Sequence, residues 1–181
     1  DRSVAAILDA ALDALAGDPD ASMSAIARRA GVVRATVYAH FPTREVLLDA
    51  VMHHAIVAVA DAIRATEPDR GRAAEAFERL LRATWKELDR FHGLVAVNTA
   101  RLSAEELHRR HVPVIELMAP LVARGQADGT FRADLPVAWH LSMTLAIVHA
   151  ASGEVREGRI AEHEAETAMV ETVLAALGPV R

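Results

Sequence analysis

Apolar positions recur at helical spacing through nearly the whole chain, with little of the residue-by-residue alternation of a half-buried strand. Residues 3–16 place Ala6, Ile7, Ala10, Ala11, Ala14 and Leu15 on one stripe, and Gly17-Asp18-Pro19-Asp20 ends that helix. Ser22 stands where an N-cap belongs, ahead of a short helix at 23–30. Gly31 and Val32 interrupt it, and a second short helix, 33–40, ends at Phe41-Pro42, because proline disfavours helical geometry at the residue before it. Thr43 caps a long helix, 43–66, with Glu45 in the first turn where the helix dipole favours a carboxylate. Residues 67–71 break the pattern. A helix at 72–90 follows, then a shorter segment at 91–102. Ser103-Ala-Glu-Glu106 reads as a capping box opening a helix to about 127, which Pro113 should kink or divide and Gly129 terminates. Pro136 starts a helix to 157, and the last runs over 161–177. The fold class is all-α.

Residues 137–152 contain no Asp, Glu, Lys or Arg. A helix apolar on all sides must be covered on all sides, and this stretch is too short and too polar, with two histidines, to span a membrane. One face against the interior and another against a second copy satisfies the pattern. The final helix agrees, with Ala165, Ala168, Met169, Thr172, Val173, Ala176 and Leu177 in a stripe. Two helices from each protomer would build a four-helix bundle about a two-fold axis.

The chain has no cysteine, which removes disulfides, thiolate metal sites and cysteine nucleophiles. No signal peptide is visible and no apolar run is expected to reach membrane-spanning length, so the chain reads as cytoplasmic. No glycine-rich phosphate loop and no Ser-His-Asp pattern supports an enzyme, and no cofactor is called for. The net charge of −5 looks wrong for a nucleic-acid binder until it is divided by segment. Between Ala21 and Arg44 lie Arg28, Arg29, Arg34 and Arg44 and no acidic residue, a local +4, so the remainder carries −9. A basic patch on an acidic body suits a protein with one end on phosphate.

That patch coincides with two short helices joined by a glycine-containing turn, the helix-turn-helix pattern. Ala27 is small where the helices would cross, Gly31 permits a left-handed turn, and Ile26, Ala30, Val32 and Val37 make the inner side. The outer face of the second helix carries Arg34, Ala35, Thr36, Tyr38 and His40, donors and small residues that fit a major groove. The run 25–48, AIARRAGVVRATVYAHFPTREVLL, resembles the signature of TetR-family regulators: a Tyr near the end of the recognition helix, an aromatic, a turn, then a capping Ser/Thr and a basic residue. The resemblance covers roughly residues 5–50. It implies a helix-turn-helix DNA-binding domain over residues 1–46 and a helical effector-binding and dimerisation domain over 47–181. It also implies a homodimeric, ligand-responsive regulator of double-stranded, palindromic operator DNA, with repression the family habit.

Carried over by position, Arg34 and Thr36 fall where side chains reach base edges, with Ala35 beside a thymine methyl. Tyr38, His40 and Arg44 match backbone-contacting positions, with Thr43 capping beside Arg44, and Ser22 and Ser24 resemble positions contacting phosphate or base. The few polar groups on this helix leave base readout to Arg34, to residues before Asp1 or to DNA shape. For the unknown small-molecule effector, the family's middle helices point to Trp85, Phe91, Val95, Asn98, Met118, Val122, His140 and Met143. Each of these also reads as ordinary core. Two alternatives stand beside this reading. One is a metal-responsive regulator using His53-His54 or His108 and His111, a pattern that lacks an evident third ligand and sits beside Arg109 and Arg110. The other is a helical small-molecule-binding dimer without DNA-binding activity.

Overall fold

The computed structural model describes residues 2–179, without the side chains of residues 89, 90, 92, 95, 96 and 99. Among the described residues there are eight helices and no strand: α1 (Arg2–Gly17), α2 (Met23–Arg29), α3 (Arg34–His40), α4 (Arg44–Ala65), α5 (Ala73–Arg101), α6 (Ala104–Ala127), α7 (Val137–Arg156) and α8 (Glu162–Leu177). They form two compact units. The first comprises residues 1–57 and 90–110; the second comprises 58–89 and 111–181. The first three helices lie wholly in the first unit, the last two wholly in the second, and α4, α5 and α6 each contribute to both.

In the first unit α1 buries Ile7, Leu8, Ala10, Ala11, Leu12 and Leu15, the stripe expected from its spacing except that Ala6 is exposed and Ala14 half-buried. Ile26 from α2, Val37 from α3 and Leu47 and Val51 from α4 are fully enclosed. Burying side chains of this size stabilises by about 1.5–3 kcal/mol each, which fixes the orientation of the short helices that propensity alone could not hold. Gly31 takes the left-handed conformation (φ 68°) that the turn between α2 and α3 requires. Gly93 serves a different purpose. A Cβ built there would lie 2.0 Å from the Leu15 carbonyl oxygen, so α5 and the end of α1 meet backbone to backbone.

Three expectations are corrected. The break expected near residue 90 is absent, and α5 runs unbroken to Arg101, with Gly93 packed within it against the end of α1. Pro113 neither ends nor divides α6, which also contains Pro120. Both prolines are exposed, as are Arg109 and Glu116 four residues earlier, so the carbonyls robbed of a helical donor can turn to water. The capping box at Ser103 is half made: Ser103 Oγ accepts from the Glu106 amide at 3.2 Å, whereas the Glu106 carboxylate is taken by Arg110 Nε at 2.7 Å and by Arg109. A further difference concerns α4, which by length and composition alone is long and apolar enough to cross a membrane. Leu47, Leu48, Val51, Met52, Val59, Ala60 and Ile63 are nevertheless buried within the protein, as in a core helix.

The second unit closes around Phe77, Leu80, Val122, Phe131, Val173 and Leu177. The Phe131 ring sits on Gly125 and meets Phe77 edge-on at 5.8 Å, while α7 packs along α8. His111 of α6 and His149 of α7 stack T-shaped at 5.5 Å. Burial, and secondarily the neighbouring His111, pushes the His149 imidazole down to about 4. A histidine depressed in the folded state binds its proton more readily when unfolded, so stability falls as pH drops from about 6.5 towards 4 and then levels off. Between pH 7 and pH 5 the loss is expected to be about 2 kcal/mol. His149→Gln should flatten that part of the melting-temperature profile; an unchanged slope would remove His149 as its source.

Candidate functional site

The helix-turn-helix is assembled by local hydrogen bonds that the sequence specifies. Ser22 Oγ accepts from the Ala25 amide at 3.2 Å and so caps α2. Thr43 Oγ1 accepts from the Val46 amide at 3.3 Å and caps α4. Glu45 follows in the first turn, where its own backbone N–H and Thr43 hold its carboxyl below the usual carboxylate range. Helix α3 is anchored on one side only. Val37 is fully buried, Thr36 and Tyr38 are half-buried, and Arg34, Ala35 and His40 face solvent.

Arg34 lies over the Tyr38 ring, its guanidinium carbon 5.0 Å from the ring centroid, with Nη2 donating to the Tyr38 hydroxyl at 3.1 Å. An exposed cation–π contact is worth about 0.5–1 kcal/mol. A bidentate arginine–guanine pair is worth about 1–3 kcal/mol, so the stacked arginine can be drawn off its tyrosine into a groove at a net gain. Arg44 is differently employed. Its guanidinium donates to the Pro19 carbonyl at 2.8 Å and to the Ala21 carbonyl, tying the α1–α2 connection, and hence the Ser22 cap, to the start of α4. Ser24 is exposed, as are Arg28 and Arg29, the latter 3.5 Å from Asp13 of α1.

The sequence did not disclose a second polar cluster in the same unit. Asp49 of α4 accepts from Arg101 Nη2 at 2.7 Å and from Arg110 Nη1 at 3.0 Å, and Arg101 also reaches Asn98 Oδ1 at 3.3 Å. Burial works against the charged Asp49, but the two arginine hydrogen bonds prevail and hold its carboxyl below the usual range. Opposite charges on three separate helices give no local periodic signal, which is why only a three-dimensional structure reveals the cluster.

The expected effector residues are distributed over both units. Trp85, Met118, Val122, His140 and Met143 belong to the second unit; Phe91 and Asn98 belong to the first, Asn98 within the Asp49 cluster; the side chain of Val95 lies outside the described residues. In the second unit Trp85 and His140 are 3% and 0% exposed, and Trp85 Nε1 and His140 Nδ1 have no hydrogen-bond partner among the described residues. His140 Nε2 lies 3.2 Å from the Arg132 carbonyl and must donate to it, so in the neutral ring Nδ1 is an acceptor. An unpaired buried donor and acceptor are costly. Among the described residues no three histidines or carboxylates gather as a metal set; His54 pairs with Asp9 at 3.4 Å and His111 with His149.

Residues 7–51 match the family described as bacterial regulatory proteins, tetR family. Over 81 residues the chain is 38% identical to the HTH-type transcriptional repressor LfrR of Mycolicibacterium smegmatis, a match spanning 45% of this chain and 43% of that protein. The whole fold is similar to the crystal structure of LfrR from Mycobacterium smegmatis in complex with proflavine (TM-score 0.75, 24% identity, all of both chains covered). It is also similar to FadR from Bacillus subtilis in complex with stearoyl-CoA (TM-score 0.76, 18% identity, 94% of this chain and 97% of that one). The likeness that the sequence carries is thus confined to the N-terminal part of the chain, where residues 7–51 form a helix-turn-helix domain of the kind found in bacterial regulatory proteins of the tetR family.

Proposed function

We propose that the protein is a sequence-specific transcriptional regulator, a repressor whose hold on a palindromic operator is changed by a small molecule. The observation that carries this reading is α3 itself, pinned by the buried Val37 and offering Arg34, Ala35 and His40 outward. Residues 1–46 act as the DNA module and 47–181 as the effector and dimerisation module. Arg34, Ala35 and Thr36 read bases; Ser22, Ser24, Tyr38, His40 and Thr43 meet the sugar-phosphate backbone, with Arg44 keeping the α1–α2 connection in place for them. Selection from a random duplex pool tests this. Enrichment of one inverted repeat, with half-sites about one helical turn apart, supports it, and recovery of no preferred sequence contradicts it.

Dimerisation supplies the second recognition helix. The outer face of α7 presents Ala138, Trp139, Ser142, Ala146 and Ala150 to solvent without a charge among them, and Trp139 is 57% exposed. A tryptophan so exposed on an uncharged helix face fits a surface covered by a second copy. Trp139→Arg is expected to give a folded monomer at micromolar concentration; sedimentation of that variant as an intact dimer would place the interface elsewhere.

The effector is apolar over most of its surface and offers an acceptor to Trp85 Nε1 and a donor to His140 Nδ1. LfrR and FadR, whose complexes hold proflavine and stearoyl-CoA, show how different the ligands on this fold are. Movement of α4 on ligand binding weakens operator affinity, and by linkage the operator weakens ligand affinity by the same factor.

A further inference from the structure

Val33 is the most exposed large apolar residue among those described, at 70%, and it occupies the N-cap of α3 (φ −74°, ψ 149°) without any side-chain cap hydrogen bond. Both features are unfavourable for the free protein. Ser, Thr, Asp or Asn at that position would satisfy an orphan amide of the helix, as Ser22 does for α2 and Thr43 for α4. The same short domain thus caps two of its helices with hydroxyls and leaves the helix offered to DNA uncapped, with a branched apolar side chain in the capping position. Solvation does not favour that choice, and within the chain Val33 packs against little. Its immediate neighbours Arg34 and Ala35 are exposed on the same end of α3. The first residues of a recognition helix enter the major groove most deeply. On base edges in that groove the one apolar group is the C5-methyl of thymine.

We propose that Val33 is a specificity-determining residue that reads a thymine C5-methyl in each operator half-site, next to the base read by Arg34. The proposal rests on the operator-binding reading above and adds to it. An isopropyl side chain can distinguish thymine from cytosine or uracil by desolvating the methyl, and it needs no hydrogen bond. That supplies readout on a helix with few polar side chains.

The test uses the full chain and the duplex that it selects from a random pool, with each half-site thymine replaced in turn by deoxyuridine, which removes only the methyl. Loss of one contacted methyl should weaken wild-type binding about fourfold, and symmetric loss in both half-sites about fifteenfold. Val33→Ser should bind the thymine and uracil duplexes equally, while melting no lower than wild type because it restores a cap. A pool that yields no preferred sequence overturns both this proposal and the operator reading. A selected operator at which no uracil substitution weakens wild-type binding overturns this proposal alone. So does a uracil effect that persists undiminished in Val33→Ser, since another residue would then read the methyl.

Discussion

Gly93→Ala is expected to destabilise the first unit more than any other single methyl addition in it. The new Cβ would lie 2.0 Å from the Leu15 carbonyl oxygen, 2.4 Å from its carbon and 2.7 Å from Ala16 Cα. These are backbone atoms at the end of α1, so no rotamer change relieves the clash, and the two helices must separate. Leu15 is itself fully buried, and separation would loosen its packing too. Overpacking of this kind costs about 3 kcal/mol or more, a large share of the roughly 5–15 kcal/mol that holds a domain folded. For a chain of this size the melting temperature should fall by about 10 °C. Gly17→Ala is the matched control, because its added methyl meets nothing within 4 Å. Equal melting of the two variants would mean that α5 does not cross α1 at Gly93.

Arg34→Ala should abolish operator discrimination while leaving the fold and the dimer intact. The side chain is exposed and its one partner among the described residues is Tyr38, so the free protein loses about 0.5–1 kcal/mol at most. On DNA the loss is larger. A bidentate guanine contact contributes about 1–3 kcal/mol, and a dimer makes it twice, so preference for the selected duplex should fall by about two to three orders of magnitude. Binding to random duplex, which rests on phosphate contacts, should fall far less. Arg34→Lys should not rescue discrimination, because an ammonium cannot reproduce the forked pair. A variant that still prefers its operator by the wild-type factor would remove Arg34 as the base reader.

The parts of this structure that local chemistry decides were legible in the sequence. Ser22 and Thr43 cap the helices they precede, Gly31 has the positive φ its turn demands, and Val37 is the buried anchor of α3. What escaped depends on residues far apart in the chain. The continuity of α5 past residue 90 and the packing of Gly93 against the Leu15 carbonyl depend on a residue far away in the chain. Pro113 and Pro120 are tolerated where they and the residues four positions earlier, Arg109 and Glu116, are exposed, and exposure is not written in spacing. Arg44 was expected to meet phosphate, and its binding of the Pro19 and Ala21 carbonyls follows only from the folded path of the α1–α2 connection. The expected effector residues, with the polar Asn98 and His140 among them, come from both units, and the hydrogen bond from Arg101 that draws Asn98 to the Asp49 cluster has no local signal in the sequence. Burial of an apolar side chain does not by itself distinguish core from pocket.

The most direct test of the regulator reading is the affinity of the full chain for duplex from the region upstream of its own gene, measured against a scrambled duplex across a salt series. Specific binding by two protomers per site, weakening steeply as salt rises, is the result expected of paired recognition helices on phosphate-lined grooves. Equal affinity for both duplexes by a folded dimer, at every salt concentration, would contradict it and leave a helical ligand-binding protein in its place.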